Sequence, residues 1–192
     1  MTDPYCWPDT DCLRNKLDIR DAVELREIES RIVSARDVEL VRMTLPGEYN
    51  LEHLKRFHAR LFGDVYDWAG ETRAVNVHKS GTTFAAWQIV DEYTSSILGQ
   101  LEFDSYLIGR RRGPFIERLA YYYSELNAVH PFRESNGRTQ RAFLRQLAAA
   151  AGWRVDWSSL STELNIAISS ESFHSADTAT VQRAFTPLIS QI

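Results

Sequence analysis

His130-Pro131-Phe132-Arg133-Glu134-Ser135-Asn136-Gly137-Arg138-Thr139-Gln140-Arg141 gathers an imidazole, a carboxylate, a small Ser-Asn-Gly turn and three arginines into one short stretch. His130 is a candidate base, since the reference pKa of an imidazole, about 6.5, lies near working pH. Glu134 is a hard oxygen donor of the kind that holds magnesium together with phosphate oxygens. Arg138 and Arg141 lie three apart and so share a helix face. Two guanidinium forks suit a polyphosphate better than a single carboxylate. Taken singly, each residue has a plainer reading: a histidine before proline as a cap or core residue, arginines as a solvated face. The conjunction points to chemistry on a phosphate.

Two helices must position this stretch. The spacing predicts one from Phe115 to Asn127 and another from Arg138 to Ala151, with Asn136-Gly137 where the second begins. A loop feeding a helix N-terminus presents unpaired N–H groups and the positive end of the helix dipole, which together favour an anion. Gly137 lets the backbone approach closely, and Asn136 tolerates turn conformations. Neither a Gly-x-x-x-x-Gly-Lys-Ser/Thr phosphate loop nor a His-Glu-x-x-His zinc helix occurs in the chain.

The remaining chain reads as mostly helical. An irregular arm runs to about Ile19, punctuated by Pro4, Pro8 and Asp9-Thr10-Asp11. Helical spacing follows from Asp21, a fair N-cap, to about Met43, until Pro46-Gly47 breaks it. Leu51–Leu61 repeats the pattern, and His53 and His58 within it are read as structural. Leu61–Arg73 forms a compact aromatic turn in which Tyr66 and Trp68 bury large area. Val75 and Val77 alternate with Ala74, Asn76 and His78, and Ser80-Gly81 signals a turn, so a short hairpin is expected at Arg73–Phe84. Such a hairpin is either a protected element packed on helices or a strand edge for peptide docking. Ala86–Phe103 reads as a helix. Arg110-Arg111-Arg112 reads as a solvated loop. Gly152 stops the helix of the signature stretch, Trp153–Trp157 is short and extended, and two helices are expected near Ser159–Ser169 and Asp177–Ile189.

The bulk properties set bounds. A chain of 192 residues with 44% hydrophobic and 25% charged residues is ordinary globular composition and fits one domain over 1–192. A formal net charge of -4 argues weakly against nucleic acid as the main partner. The two cysteines, Cys6 and Cys12, suggest a reducing compartment rather than a disulfide framework. No ordinary secretion signal or membrane span is apparent, so a cytoplasmic bacterial protein is expected, with delivery into another cell left open.

The segment resembles the signature of the Fic family, His-x-Phe-x-(Asp/Glu)-Gly-Asn-Gly-Arg-x-x-Arg. It agrees at His130, Phe132, Glu134, Asn136, Gly137, Arg138 and Arg141 and departs at Ser135, which replaces a glycine. Asp3-Pro4-Tyr5 with Leu13-Arg14-Asn15-Lys16, and the run from Leu61 to Gly70, also resemble the family. The resemblance implies an all-α Fic fold: a helical bundle with an arm at 1–20, a β-hairpin flap at 73–84 and the signature loop and helix start at 130–141. It implies transfer of AMP from ATP to a Ser, Thr or Tyr hydroxyl of a target protein docked on the flap. In that scheme His130 is the base and Glu134 holds Mg2+. Ser135, Asn136, Gly137, Arg138 and Arg141 hold the phosphates, Phe132 anchors the loop, and Lys79, Thr83 and Phe84 make the flap contacts. The family's inhibitory pattern, Ser/Thr-x-x-x-Glu-Gly/Asn, is approached at Thr44–Glu48 and Ser159–Glu163 but completed at neither. The resemblance therefore implies a toxin restrained by a separate small antitoxin that contacts Arg141. Two other readings remain at this point: a degenerate domain, with Ser135 for glycine, that binds nucleotide or a protein without catalysis, and phosphate transfer in place of AMP transfer.

Overall fold

Asp21 opens the first helix as its side chain dictates: its carboxylate accepts from the Val23 and Glu24 amides at 2.9 and 2.8 Å. That helix, α1, spans Ala22–Arg42. The computed structural model describes residues 3–79, 82–174 and 178–192. Seven α-helices lie within the described residues. After α1 come α2 (Leu51–Phe62), α3 (Val90–Phe103), α4 (Arg112–Val129), α5 (Asn136–Ala150), α6 (Thr162–His174) and α7 (Ala179–Phe185). Asn50 caps α2, its carboxamide oxygen accepting from the His53 amide at 3.0 Å. Gly152, at φ 85°, ends α5 where the sequence predicts.

The site depends on α5. It packs against α1, α2, α4 and a C-terminal ribbon, and Phe143, Leu144, Leu147 and Ala148 lie on its buried side. Phe57 from α2 meets Phe143 edge-on at 5.7 Å between centroids. Burying one such aromatic side chain contributes about 2–3 kcal/mol, so the face fixes α5 firmly and its N-terminus with it.

Three expectations are corrected. The hairpin is shorter than Arg73–Phe84: β1 (His78–Lys79) pairs antiparallel with β2 (Thr82–Thr83), and Val75 and Val77 lie outside the ladder. Side chains take the bonding there, because the Val75 carbonyl accepts from Arg73 at 2.7 Å and the Asn76 carboxamide accepts from the Trp87 amide at 3.0 Å. The expected turn at Ser80-Gly81 lies outside the described residues. The helix expected over Asp177–Ile189 ends earlier, at Phe185. Pro187 lies in the 3-10 turn that follows, where it cannot continue a helix. Ile189–Gln191 then forms β4, antiparallel to β3 (Trp153–Val155). Finally, Arg110-Arg111-Arg112 is solvated at Arg111 and Arg112 but is not all loop, because Arg112 opens α4. Arg110 bridges to Asp104 at 2.7 Å, and Arg112 donates to the Thr186 and Ile189 carbonyls.

The arm is irregular yet tied down. Asn15 spends its whole carboxamide locally, donating to the Leu13 and Ile19 carbonyls and accepting from the Leu17 and Ile19 amides. Lys16 reaches the Gly63 carbonyl at 2.7 Å. Asp3 accepts from Arg133 of the signature stretch, and Tyr5 accepts through its hydroxyl from the Ala74 amide.

Candidate active site

The loop from His130 to Ser135 is bounded by two left-handed residues. His130 closes α4 at φ 53°, ψ 63°, and Ser135 precedes α5 at φ 68°, ψ 19°. An L-residue reaches that region at a cost of about 1–2 kcal/mol, whereas the more extreme conformations open to glycine are closed to it. Serine therefore fits the position that the signature gives to glycine.

Asn136 fastens the loop on itself. Its carboxamide accepts from the Phe132 amide and donates to the Phe132 carbonyl, both at 2.8 Å. The side chain is buried and committed, so what Asn136 offers an anion is its backbone N–H. The first bond of α5 runs from the Thr139 amide to the Ser135 carbonyl. The amides of Asn136, Gly137 and Arg138 precede that ladder and form the donor end of the helix. At Gly137 an added Cβ would meet Arg141 Nη1 at 3.4 Å and nothing else within 4 Å. Its value is open space above the helix start, since its φ is not positive.

Beneath the loop lies His58. The Gly70 amide donates to its Nδ1 at 2.8 Å, so Nε2 carries the proton and faces the Glu134 carbonyl at 3.3 Å. The ring stacks on Phe132 at 4.0 Å and 13°. Burial pushes its pKa down to about 3. It is a neutral pillar, in keeping with the structural role read from the sequence.

Glu134 is half-buried; one carboxylate oxygen accepts from the Ser135 amide at 2.9 Å. Arg133 pairs with Asp3, Arg138 with Glu29 and Arg145 with Asp37. Among the described residues no ion pair joins Glu134 to a cation or Arg141 to a carboxylate. Among the described residues the Arg141 guanidinium has a long contact, 3.4 Å, to the Asn165 carboxamide oxygen. Burial lowers its pKa, the mark of a guanidinium short of compensating charge. A cavity of about 340 Å³ lies over Arg138, Arg141 and Arg145, and another of about 400 Å³ over Glu29, Glu134 and Arg138. One carboxylate outside any ion pair among the described residues, beside an anion cradle, fits a magnesium ion that takes its other ligands from phosphates and water.

The flap residues divide. Phe84 turns inward and stacks on His130 at 3.8 Å and 20°. Thr83 is exposed and its hydroxyl meets His78 Nδ1 at 3.0 Å. Lys79 lies on β1. Two functional candidates escaped the sequence reading. Arg73, 2% exposed, donates to the carbonyls of Val75, Ala85, Val129 and His130, tying flap to loop. Glu29, on α1, grips Arg138. Only a contact 109 positions apart reveals it, and helical spacing carries no such signal.

The model of the Fic/DOC family matches residues 48–148, more than half of the chain and all of the loop just described. The chain belongs to the Fic/DOC family. Its Fic domain is 41% identical over 172 residues to protein adenylyltransferase VbhT of Bartonella schoenbuchensis, covering 90% of this chain and 36% of that protein. It is 36% identical over 163 residues to the Escherichia coli protein named "Probable protein adenylyltransferase Fic", covering 84% of this chain and 80% of that one. The chain thus spans about a third of the first relative and most of the second. The fold matches the N-terminal Fic domain of a VirB-translocated Bep effector from Bartonella quintana, a structure with bound ADP. That comparison has a TM-score of 0.93 at 25% identity and covers 97% of this chain and 94% of the other.

Proposed function

We propose that this Fic domain is a protein adenylyltransferase that moves AMP from ATP to a hydroxyl of a target protein. The observation that carries the reading is Arg141: a half-buried guanidinium without a carboxylate among the described residues, one turn above the open amides of α5. Relatives bearing the name protein adenylyltransferase support it, as does a fold neighbour with bound ADP.

In this reading the α5 amides and Arg138 hold the phosphates and Arg141 reaches the terminal one. Glu134 would hold the magnesium ion, which when bound offsets phosphate charge. His130, set by the left-handed cap of α4 and by the Phe84 ring, takes the proton of the target hydroxyl. The hydroxyl oxygen bonds to the α-phosphorus, the bond to the bridging oxygen breaks, and pyrophosphate leaves. General base help of this kind contributes about 10²–10⁴-fold. The target segment lies along the flap near Lys79 and Thr83. A small antitoxin offering a glutamate to Arg141 would fill the cavity over α5 and block the terminal phosphate; with that partner the protein is the toxin of a pair.

The test is incubation with magnesium and α-labelled ATP in lysate, beside His130→Ala and a γ-labelled control. Protein label from the α-position, absent with His130→Ala, is expected. Label from the γ-position would mean phosphate transfer instead, and no label would mean a binding module.

A further inference from the structure

Arg138 meets the nucleotide in the reading above, yet it is already engaged. Its Nη2 donates to Glu29 Oε1 at 2.5 Å and to Ser135 Oγ at 2.6 Å. A terminal guanidinium nitrogen carries two hydrogens, so Nη2 is fully spent. Glu29 is itself fixed: 5% exposed on α1, it accepts through Oε2 from the Tyr66 hydroxyl. The Phe62 ring lies under the guanidinium, 4.8 Å from its centroid. Carboxylate, hydroxyl and ring together bound one long side chain on three sides. Glycine at position 135 would supply no hydroxyl.

We propose that Glu29 and Ser135 form a clamp that positions Arg138 for the transition state, leaving Nε and Nη1 to address phosphate. This rests on the transfer reading. Glu29 touches no reacting atom and acts through Arg138. The clamp has two opposed effects. The carboxylate places negative charge at the edge of a polyphosphate site, which weakens ground-state binding. It also holds a rotamer-rich side chain in place before the chemistry starts, which favours the transition state.

The opposition makes the test specific. Guanidinium ¹⁵N spectra of the intact chain, with Arg138→Lys to assign the signal, are expected to show restricted Arg138 groups in the wild type. Those groups average in Glu29→Gln and in Ser135→Gly. AMPPNP with magnesium is expected to bind Glu29→Gln at least as tightly as the wild type, while the turnover number with α-labelled ATP falls about tenfold or more. Against an Arg138→Ala background, Glu29→Gln should cost no further turnover. Ser135→Gly, in a loop where glycine is conformationally at ease, supplies a variant of the clamp without risk to the fold. Unrestricted Arg138 in the wild type would overturn the inference. So would turnover within twofold of wild type in both variants, or losses that multiply in the Arg138→Ala background. Wild-type protein that binds no AMPPNP, with its Arg138 signal still restricted, would instead overturn the proposed function.

Discussion

Arg73 and His130 are joined side chain to main chain: the Arg73 Nε donates to the His130 carbonyl at 2.8 Å. The same guanidinium donates to Val129 at 3.1 Å and to Ala85 at 2.5 Å. The flap base and the His130 cap of α4 are thus one assembly, held by a buried cation that has carbonyls for company and no carboxylate among the described residues. Burial accordingly lowers its pKa. Arg73→Ala strips the donor from four carbonyls and is expected to cost about 2–4 kcal/mol. Adenylyl transfer should fall further than the folded fraction does, since His130 loses its backbone anchor. Arg73→Lys, with three donors in place of a planar fork, should lie between. Urea unfolding and α-label transfer on the same samples check this; an unchanged midpoint for Arg73→Ala would refute it.

Asn136 presents a different case, a signature residue whose side chain faces the loop rather than the cavity. Asn136→Ala leaves the Phe132 amide and carbonyl without partners, at about 2–4 kcal/mol. Asn136→Asp keeps an acceptor for the amide but sets a carboxylate oxygen against the Phe132 carbonyl. Both are expected to abolish AMPPNP binding in calorimetry while far-UV circular dichroism keeps its helical signal. Retained binding in either variant would show that the loop keeps its shape without the brace.

His58 predicts a pH dependence of stability. Its folded pKa, about 3, lies below the unfolded value of about 6.5. Between those values the unfolded chain binds a proton that the native chain refuses. Stability therefore rises with pH across that window, by up to about 1.4 kcal/mol per unit, and is flat above it. His53, whose pKa burial also lowers, adds in the same direction. Denaturation at pH 7 and pH 5 should show the loss, and His58→Gln should remove most of the slope. An equal slope in that variant would assign the effect elsewhere.

Much of this was legible before any coordinates. The cap at Asp21, the stop at Gly152 and the apolar spacing of α1 to α5 are local signals, and the helices follow them. The signature residues were legible as a set because twelve neighbours in sequence are neighbours in space. What the chain could not disclose is long-range. Glu29 lies 109 positions from Arg138, and Arg73 lies 57 from His130. The Val75 and Val77 alternation misled because Arg73 takes the Val75 carbonyl and only the Val77 carbonyl, 3.4 Å from the Phe84 amide, keeps a bond across the hairpin. The strand Ile189–Gln191 was invisible because three residues with one buried side chain make no pattern, and only its partner Trp153–Val155 gives it a reason to be extended.

The ion pair between Asp3 and Arg133 spans 130 positions. A ribosome delivers the arm before the signature stretch, so the two meet only after the residues between them have been made. Closing so wide a loop is slow compared with forming any single helix. The brace on the signature loop therefore forms after the helices between its two ends, and a chain broken off before Arg133 carries those helices without the braced loop that the proposed transfer needs.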